Sequence, residues 1–213
     1  VFCGSRKYPV KDILTELEKS SAATYLNAHT GQDHTEYPCA TTIKRDFFRI
    51  SDAYLDAVFF PDLTNVHFRQ EAWHREIPDS STDNTPYAPF RLSGVVLNEM
   101  QGAYSELQGL MEQDCQRLFS DTPSGRDAGG DPASIPLLTH HELKEYHRRH
   151  YHPAHARISL VSDIPTVEHL QQLNQSSLAD IRSPVPSDPD FPSPPRWSQP
   201  QYVTRQYPVA PQD

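Results

Sequence analysis

Apolar side chains recur along this chain at helical spacing in some stretches and cluster in β-prone runs in others. The two spacings predict different elements. Over residues 11–19, Ile13, Leu14 and Leu17 share one helical face. Residues 45–60 set Phe47, Ile50, Tyr54, Leu55, Val58 and Phe59 on one stripe, and Pro61 stops the predicted helix. Residues 94–119 carry a second long stripe: Val96, Met100, Ala103, Leu107, Leu110, Met111, Leu118 and Phe119. Thr139, with Glu142 three positions later, has the form of a capping box and starts a helix running to about Tyr151, ended by Pro153. Residues 166–181, with Val167, Leu170, Leu173 and Ile181 apolar, predict a last helix. The runs 24–30 and 35–42 flank Gly31–Gln32–Asp33 and predict a hairpin. Pro38 has no N–H to give a ladder, which argues against a central strand at that point. Residues 157–162 predict a further strand and 66–77 an extended segment, while 78–91 and 121–136 predict loops. This order of hairpin, helices, strand and helix implies an α+β fold, an antiparallel sheet packed against helices.

Composition alters the picture at one end. Nine of the last 32 residues are proline. That stretch predicts an extended linker. The expected organisation is therefore a folded part over 1–181 and a Pro-rich linker over 182–213 leading toward a following domain. The 213 residues suffice for one sizeable core. No apolar run approaches the roughly 20 residues that cross a bilayer. The net charge of −9 disfavours a nucleic-acid partner and suits cationic ones such as basic peptides. Cys3, Cys39 and Cys115 are widely separated and odd in number, so neither a disulfide framework nor a cysteine zinc site is expected. The start at Val1 reads as that of a fragment or a processed chain.

Several residue groups carry candidate chemistry. Glu99 lies about 60° from the centre of its helix's apolar stripe, at roughly 100° per residue. A carboxylate at the edge of a buried face needs a partner. By itself it reads as a surface glutamate or one paired with an arginine. Leu26–Thr30 reads as a plain strand. Six histidines, His140, His141, His147, His150, His152 and His155, fall within sixteen residues. Arg148 and Arg149 flank two of them, Pro153 interrupts the run, and no H-x-x-x-H pair falls wholly on the predicted helix. They read as scaffold rather than as metal ligands.

Cys3–Gly4–Ser5–Arg6–Lys7–Tyr8–Pro9 resembles the C-G-S-[RK]-K-Y-P loop that follows the inverted zinc motif H-x-x-E-H in presequence proteases of the pitrilysin (insulinase-like) family of zinc metallopeptidases. Gly94–Val95–Val96–Leu97–Asn98–Glu99–Met100 resembles that family's G-V-V-x-N-E-M-x-G segment, with Gln101 where lysine is usual. Leu26–Asn27–Ala28–His29–Thr30 is similar to its S/T-x-x-N-A-x-T strand, and Phe68–His74 to its F-x-Q-E-G-W segment, with Ala72 in place of glycine. Gly129–Gly130–Asp131–Pro132 matches its G-G-D-P loop.

The resemblance implies a zinc endopeptidase that degrades short unstructured peptides, including cleaved targeting presequences. It implies Glu99 as the third zinc ligand and Asn27 and Ala28 on an edge strand that adds a peptide substrate. It implies Glu71 as a residue that orients the metal ligands. The two histidines and the general base would lie upstream of Val1, so no catalytic residue is expected within this chain and the isolated chain should be inactive. Peptide substrates and a second, similar half that closes a chamber are the implied partners. The mitochondrial matrix is the implied location, with plastid and bacterial members known to the family. The alternative is a non-catalytic homologue acting as a peptide-binding or structural partner subunit.

Overall fold

The computed structural model describes residues 1–77, 90–105, 109, 111, 114, 116–119, 122–182, 184, 185, 193, 194, 196–200, 202 and 204. Asp12 opens the first helix, α1 (Ile13–Ser20), by accepting the Thr15 N–H at 3.0 Å. The chain then forms β1 (Ala23–Leu26), β2 (His29–Thr30), β3 (Thr35–Glu36) and β4 (Cys39–Thr41). β1 pairs antiparallel with β4 and β2 with β3, giving one interrupted hairpin. The interruption falls at Asn27–Ala28 and Tyr37–Pro38, where Pro38 offers only its carbonyl, accepting the Asn27 N–H at 3.1 Å. Gly31 N–H donates to the His34 carbonyl at 2.8 Å and closes the tip.

The 16-residue α2 (Lys44–Phe59) carries the core. Its Ile50, Ala53, Tyr54 and Ala57 meet Ile13 and Leu17 of α1, ringed by Phe2, Tyr8, Val10, Leu26, Tyr37 and Cys39. Each fully buried large aliphatic side chain here contributes about 1.5–3 kcal/mol. The Pro61 boundary of this helix matches the structure, but of the predicted stripe only Ile50 and Tyr54 are buried; Ala53 and Ala57 complete the buried face, and Phe47, Leu55, Val58 and Phe59 are half-buried.

The next stretch departs from the expected extended run over 66–77. Thr64 accepts the His67 N–H at 3.1 Å and caps a short helix, α3 (Asn65–Glu71), so only β5 (His74–Glu76) is extended. A local cap outweighed the β-prone composition. β5 pairs antiparallel with β6 (Arg91–Ser93). Of the predicted 78–91 loop, residues 78–89 lie outside the described residues.

The long helix expected over 94–119 is interrupted: Gly109, Met111, Asp114 and Gln116 are helical again beyond the break. α4 (Val95–Ala103) ends where the Ser105 hydroxyl and N–H both turn back to the Gly102 carbonyl, at 2.7 and 3.0 Å. Such side-chain bonds compete with helix continuation. A 3-10 turn follows at Arg117–Phe119. Leu97 is buried, whereas Met111, Leu118 and Phe119 are exposed, and Leu107 and Leu110 lie outside the described residues.

The capping box at Thr139 is formed as expected and opens α5 (His140–His150). Residues 157–162 form no strand among the described residues, and Val161 is 92% exposed. The run has the side chains of a strand but no neighbour to ladder with among the described residues. The last helix, α6 (Thr166–Gln175), ends earlier than expected and passes into a 3-10 turn, Ser177–Asp180. Its Val167 and Leu170 are exposed, and His169 is the buried member instead, ringed by Phe47 and Phe48 of α2. The architecture is α+β, with the antiparallel strands in three two-stranded ladders among the described residues.

Candidate active site

The motif segments named from the sequence converge through close backbone contacts. Gly94, at the head of α4, sits against the Ala72–Trp73 backbone at the end of α3. A β-carbon there would lie 2.2 Å from the Ala72 carbonyl oxygen. The β5–β6 ladder ties the same two segments together, with His74 opposite Ser93. Gly129 of the G-G-D-P loop lies against Met100, where a β-carbon would come within 2.2 Å of its sulfur. Gly130 has a φ of 93°, a left-handed conformation that favours glycine. The Trp73 indole N–H donates to the Leu138 carbonyl at 2.9 Å and His140 Nε2 to the Leu63 carbonyl at 2.6 Å, closing α5 onto the same face.

The opening residues run into this assembly. Gly4 accepts the Asp62 N–H at 2.8 Å, and Ser5 forms a bridge with Pro61. Burial pushes the Cys3 thiol up, and the Glu71 carboxylate and Asp12 push it the same way. The charge of Glu71 is therefore felt at the start of the chain. Its Oε1 accepts from Gln70 Nε2 at 2.8 Å. A thiol held protonated is a poor nucleophile. On the other side, the Phe2 ring lies edge-on to Tyr54 at 4.9 Å and to Tyr37 at 5.7 Å.

Tyr54 leads to Asn27. Its hydroxyl donates to the Asn27 carbonyl at 3.4 Å, while the Asn27 N–H goes to Pro38. The Asn27 side-chain oxygen accepts the Ala28 N–H at 2.8 Å. Both backbone groups of Asn27 and the N–H of Ala28 are thus engaged within the chain. Residues 1–3 lie between two of the sequence-predicted site regions, the Asn27 strand and Glu71.

Glu99 projects from α4 and is exposed. α4 packs on α3, so Glu99 and Glu71 lie on neighbouring helices. Among the described residues, no three His, Cys, Asp or Glu side chains group closely enough to hold a metal ion. These residues do not by themselves fit a zinc site. They offer carboxylates on two packed helices.

The histidine cluster has structural work. His147 Nε2 donates to the Val58 carbonyl at 2.8 Å, and its ring stacks on Tyr151 at 4.5 Å. His152 Nδ1 accepts the Ala154 N–H at 3.1 Å and caps the turn Pro153–His155. Sequence reasoning passed over Asp56, which is fully buried and gathers three separate segments. It lies roughly 160° from the centre of the predicted α2 stripe, so periodicity assigns it to solvent. The adjacent basic residues Arg6 and Lys7 in the opening loop were the available signal.

Comparison with known proteins bears on the family and the fold. Residues 138–212 match the family model described as the peptidase M16 inactive domain. The chain is 42% identical over 212 residues to Presequence protease 1, chloroplastic/mitochondrial, of Arabidopsis thaliana, covering 98% of this chain and 19% of that protein. This chain belongs to the M16 peptidase family. It is also 38% identical over 202 residues to the mitochondrial presequence protease of Danio rerio, covering 94% of this chain and 19% of that protein. The chain thus spans about a fifth of the length of these M16 relatives. Among solved M16 structures, the first half of the periplasmic protease PqqL from Escherichia coli superposes with a TM-score of 0.62 at 17% identity, over 89% of this chain and 37% of that one. The ferredoxin protease FusC, in complex with Arabidopsis ferredoxin, gives 0.66 at 18% identity, over 91% and 19%. These two share the fold.

Proposed function

We propose that this chain is part of the catalytic half of a zinc metalloendopeptidase that degrades short unstructured peptides, cleaved targeting presequences among them, in the mitochondrial matrix. The observation that carries this reading is the packing of Gly94 on Ala72–Trp73, which sets the helix of Glu99 beside that of Glu71. Residues 1–181 are the peptidase-domain portion and 182–213 a linker toward a further domain. Glu99 supplies one metal ligand, and Glu71, whose charge acts on Val1 and Cys3, orients the groups around it. The remaining ligands and the general base come from outside the described residues. Zinc, when bound, supplies an activated water. A peptide adds along the strand at Asn27 and Ala28. To pair there it displaces the Asn27 side chain from the Ala28 N–H, a direct exchange of one hydrogen bond for another.

The test uses the longer protein that contains this chain. It should hold zinc and hydrolyse an unstructured basic peptide. Glu99→Gln should abolish both. Glu71→Gln should weaken metal binding by about 10–100-fold. Residues 1–213 alone should neither hold zinc stoichiometrically nor cleave. Zinc bound one-to-one by residues 1–213, and lost on Glu99→Ala, would contradict this division of the site.

A further inference from the structure

We propose that Asp56 is a positioning residue for the peptidase site, tying the opening loop to the Ser177–Asp180 turn through one buried carboxylate. The inference rests on the peptidase reading above. Asp56 stands on α2 with none of its surface exposed. Its Oδ2 accepts the Lys7 N–H at 2.7 Å, and its Oδ1 accepts the Ser177 hydroxyl at 2.7 Å. Ser177 is equally buried. Arg6 approaches Oδ1 at 3.4 Å, reaches Asp180 at 2.7 Å with the same nitrogen, and lies over the Phe60 ring at 3.9 Å. Lys7 and Tyr8 both hold Asp52, one turn earlier on α2, at 2.8 and 2.9 Å.

The geometry gives this cluster one consequence beyond holding the fold. The opening loop is short; at its head Phe2 packs edge-on against Tyr54, the partner of Asn27, and the charge of Glu71 acts on Val1 and Cys3. A shift of the loop at Lys7 therefore moves the residues that stand between the two halves of the site. The other end of the cluster is the turn from which the Pro-rich stretch departs. Asp56 couples the root of that stretch to the candidate site without touching substrate or metal.

The experiment compares Asp56→Asn and Ser177→Ala with wild type in the longer protein. It measures kcat and KM on an unstructured basic peptide, together with hydrogen exchange at the Lys7 amide. Asp56→Asn should lower kcat about tenfold, since small misplacements cost rate, with KM within about twofold. Exchange at Lys7 should accelerate. Ser177→Ala should move both readouts in the same direction by less, and it carries the test if Asp56→Asn fails to fold. Lys44→Ala, which breaks a surface pair with Glu168, should leave both unchanged. Wild-type kcat in folded variants of reduced thermal stability would overturn the proposal. If the wild-type protein cleaves no peptide, the peptidase reading fails. The coupling then stands or falls on whether Ser177→Ala speeds exchange at Lys7.

Discussion

Asp56 shows how a single residue can be stabilised against its own burial. Burial pushes its carboxyl up, but the bonds from Ser177, Lys7 and Ser5 and the charge of Arg6 outweigh that and hold it below the usual carboxylate range. A folded-state value below the unfolded one means stability that is present above the unfolded value and lost as pH falls through the folded one. Asp56→Asn should therefore cost about 2–4 kcal/mol near neutrality. The gap to wild type should narrow as pH falls below about 4, a trend that thermal unfolding at stepped pH would show. Gly94 makes the complementary point. Its φ of 165° is ordinary extended backbone, so the demand for glycine comes from the Ala72 carbonyl alone. Gly94→Ala should destabilise by about 1–3 kcal/mol, measured as a lower urea midpoint, and should separate α3 from α4.

At the scale of elements, α5 illustrates a helix docked by histidines. Thr139 and Glu142 cap it reciprocally, the Thr139 N–H reaching Glu142 at 2.7 Å. Thr139→Ala should cost about 1 kcal/mol and speed amide exchange in the first turn. Burial holds His147 below the ordinary histidine range, against the Val58 carbonyl that favours its charged form. Burial also lowers His150, with Arg149 and His155 acting the same way. Depressed values mean that both histidines favour folding above about pH 6.5 and oppose it as pH falls. Protection of the α5 amides relative to their intrinsic exchange rates should thus fall as pH is lowered from 7.5 to 5.5, while that of the α1–α2 core is kept. The contrast between α2 and α4 shows where sequence periodicity serves. Periodicity places α2 and its end at Pro61, although Ala53, Asp56 and Ala57 rather than Leu55, Val58 and Phe59 go inside, whereas the Ser105–Gly102 bonds that interrupt the 94–119 run leave no mark in a stripe.

Over the whole molecule, apolar surface is unevenly covered. Val66, Ile77, Phe90, Leu137, Val161, Val167 and Leu170 are all more than half exposed. Exposed apolar area on this scale favours association. Residues 1–213 alone should bind a hydrophobic dye and self-associate, and Val161→Lys with Leu170→Glu should reduce both. Light scattering across a concentration series checks this.

The sequence by itself determined those features that depend on neighbours along the chain. The α1 stripe, the α2 helix and its end at Pro61, the Thr139 capping box, the hairpin broken at Pro38 and the order of the family's motif segments all follow from local spacing and backbone chemistry. Tertiary structure alone decided the rest. The 157–162 run found no ladder partner among the described residues, because a strand needs a neighbour, whereas the helix over Asn65–Glu71 came from a local cap at Thr64 that composition does not register. His169 displaced Val167 and Leu170 from the interior because α2 presents Phe47 and Phe48 to that side. Asp56 was illegible for the same reason: a buried carboxylate is stable only where distant donors converge, and Lys7 and Ser177 stand 49 and 121 positions away.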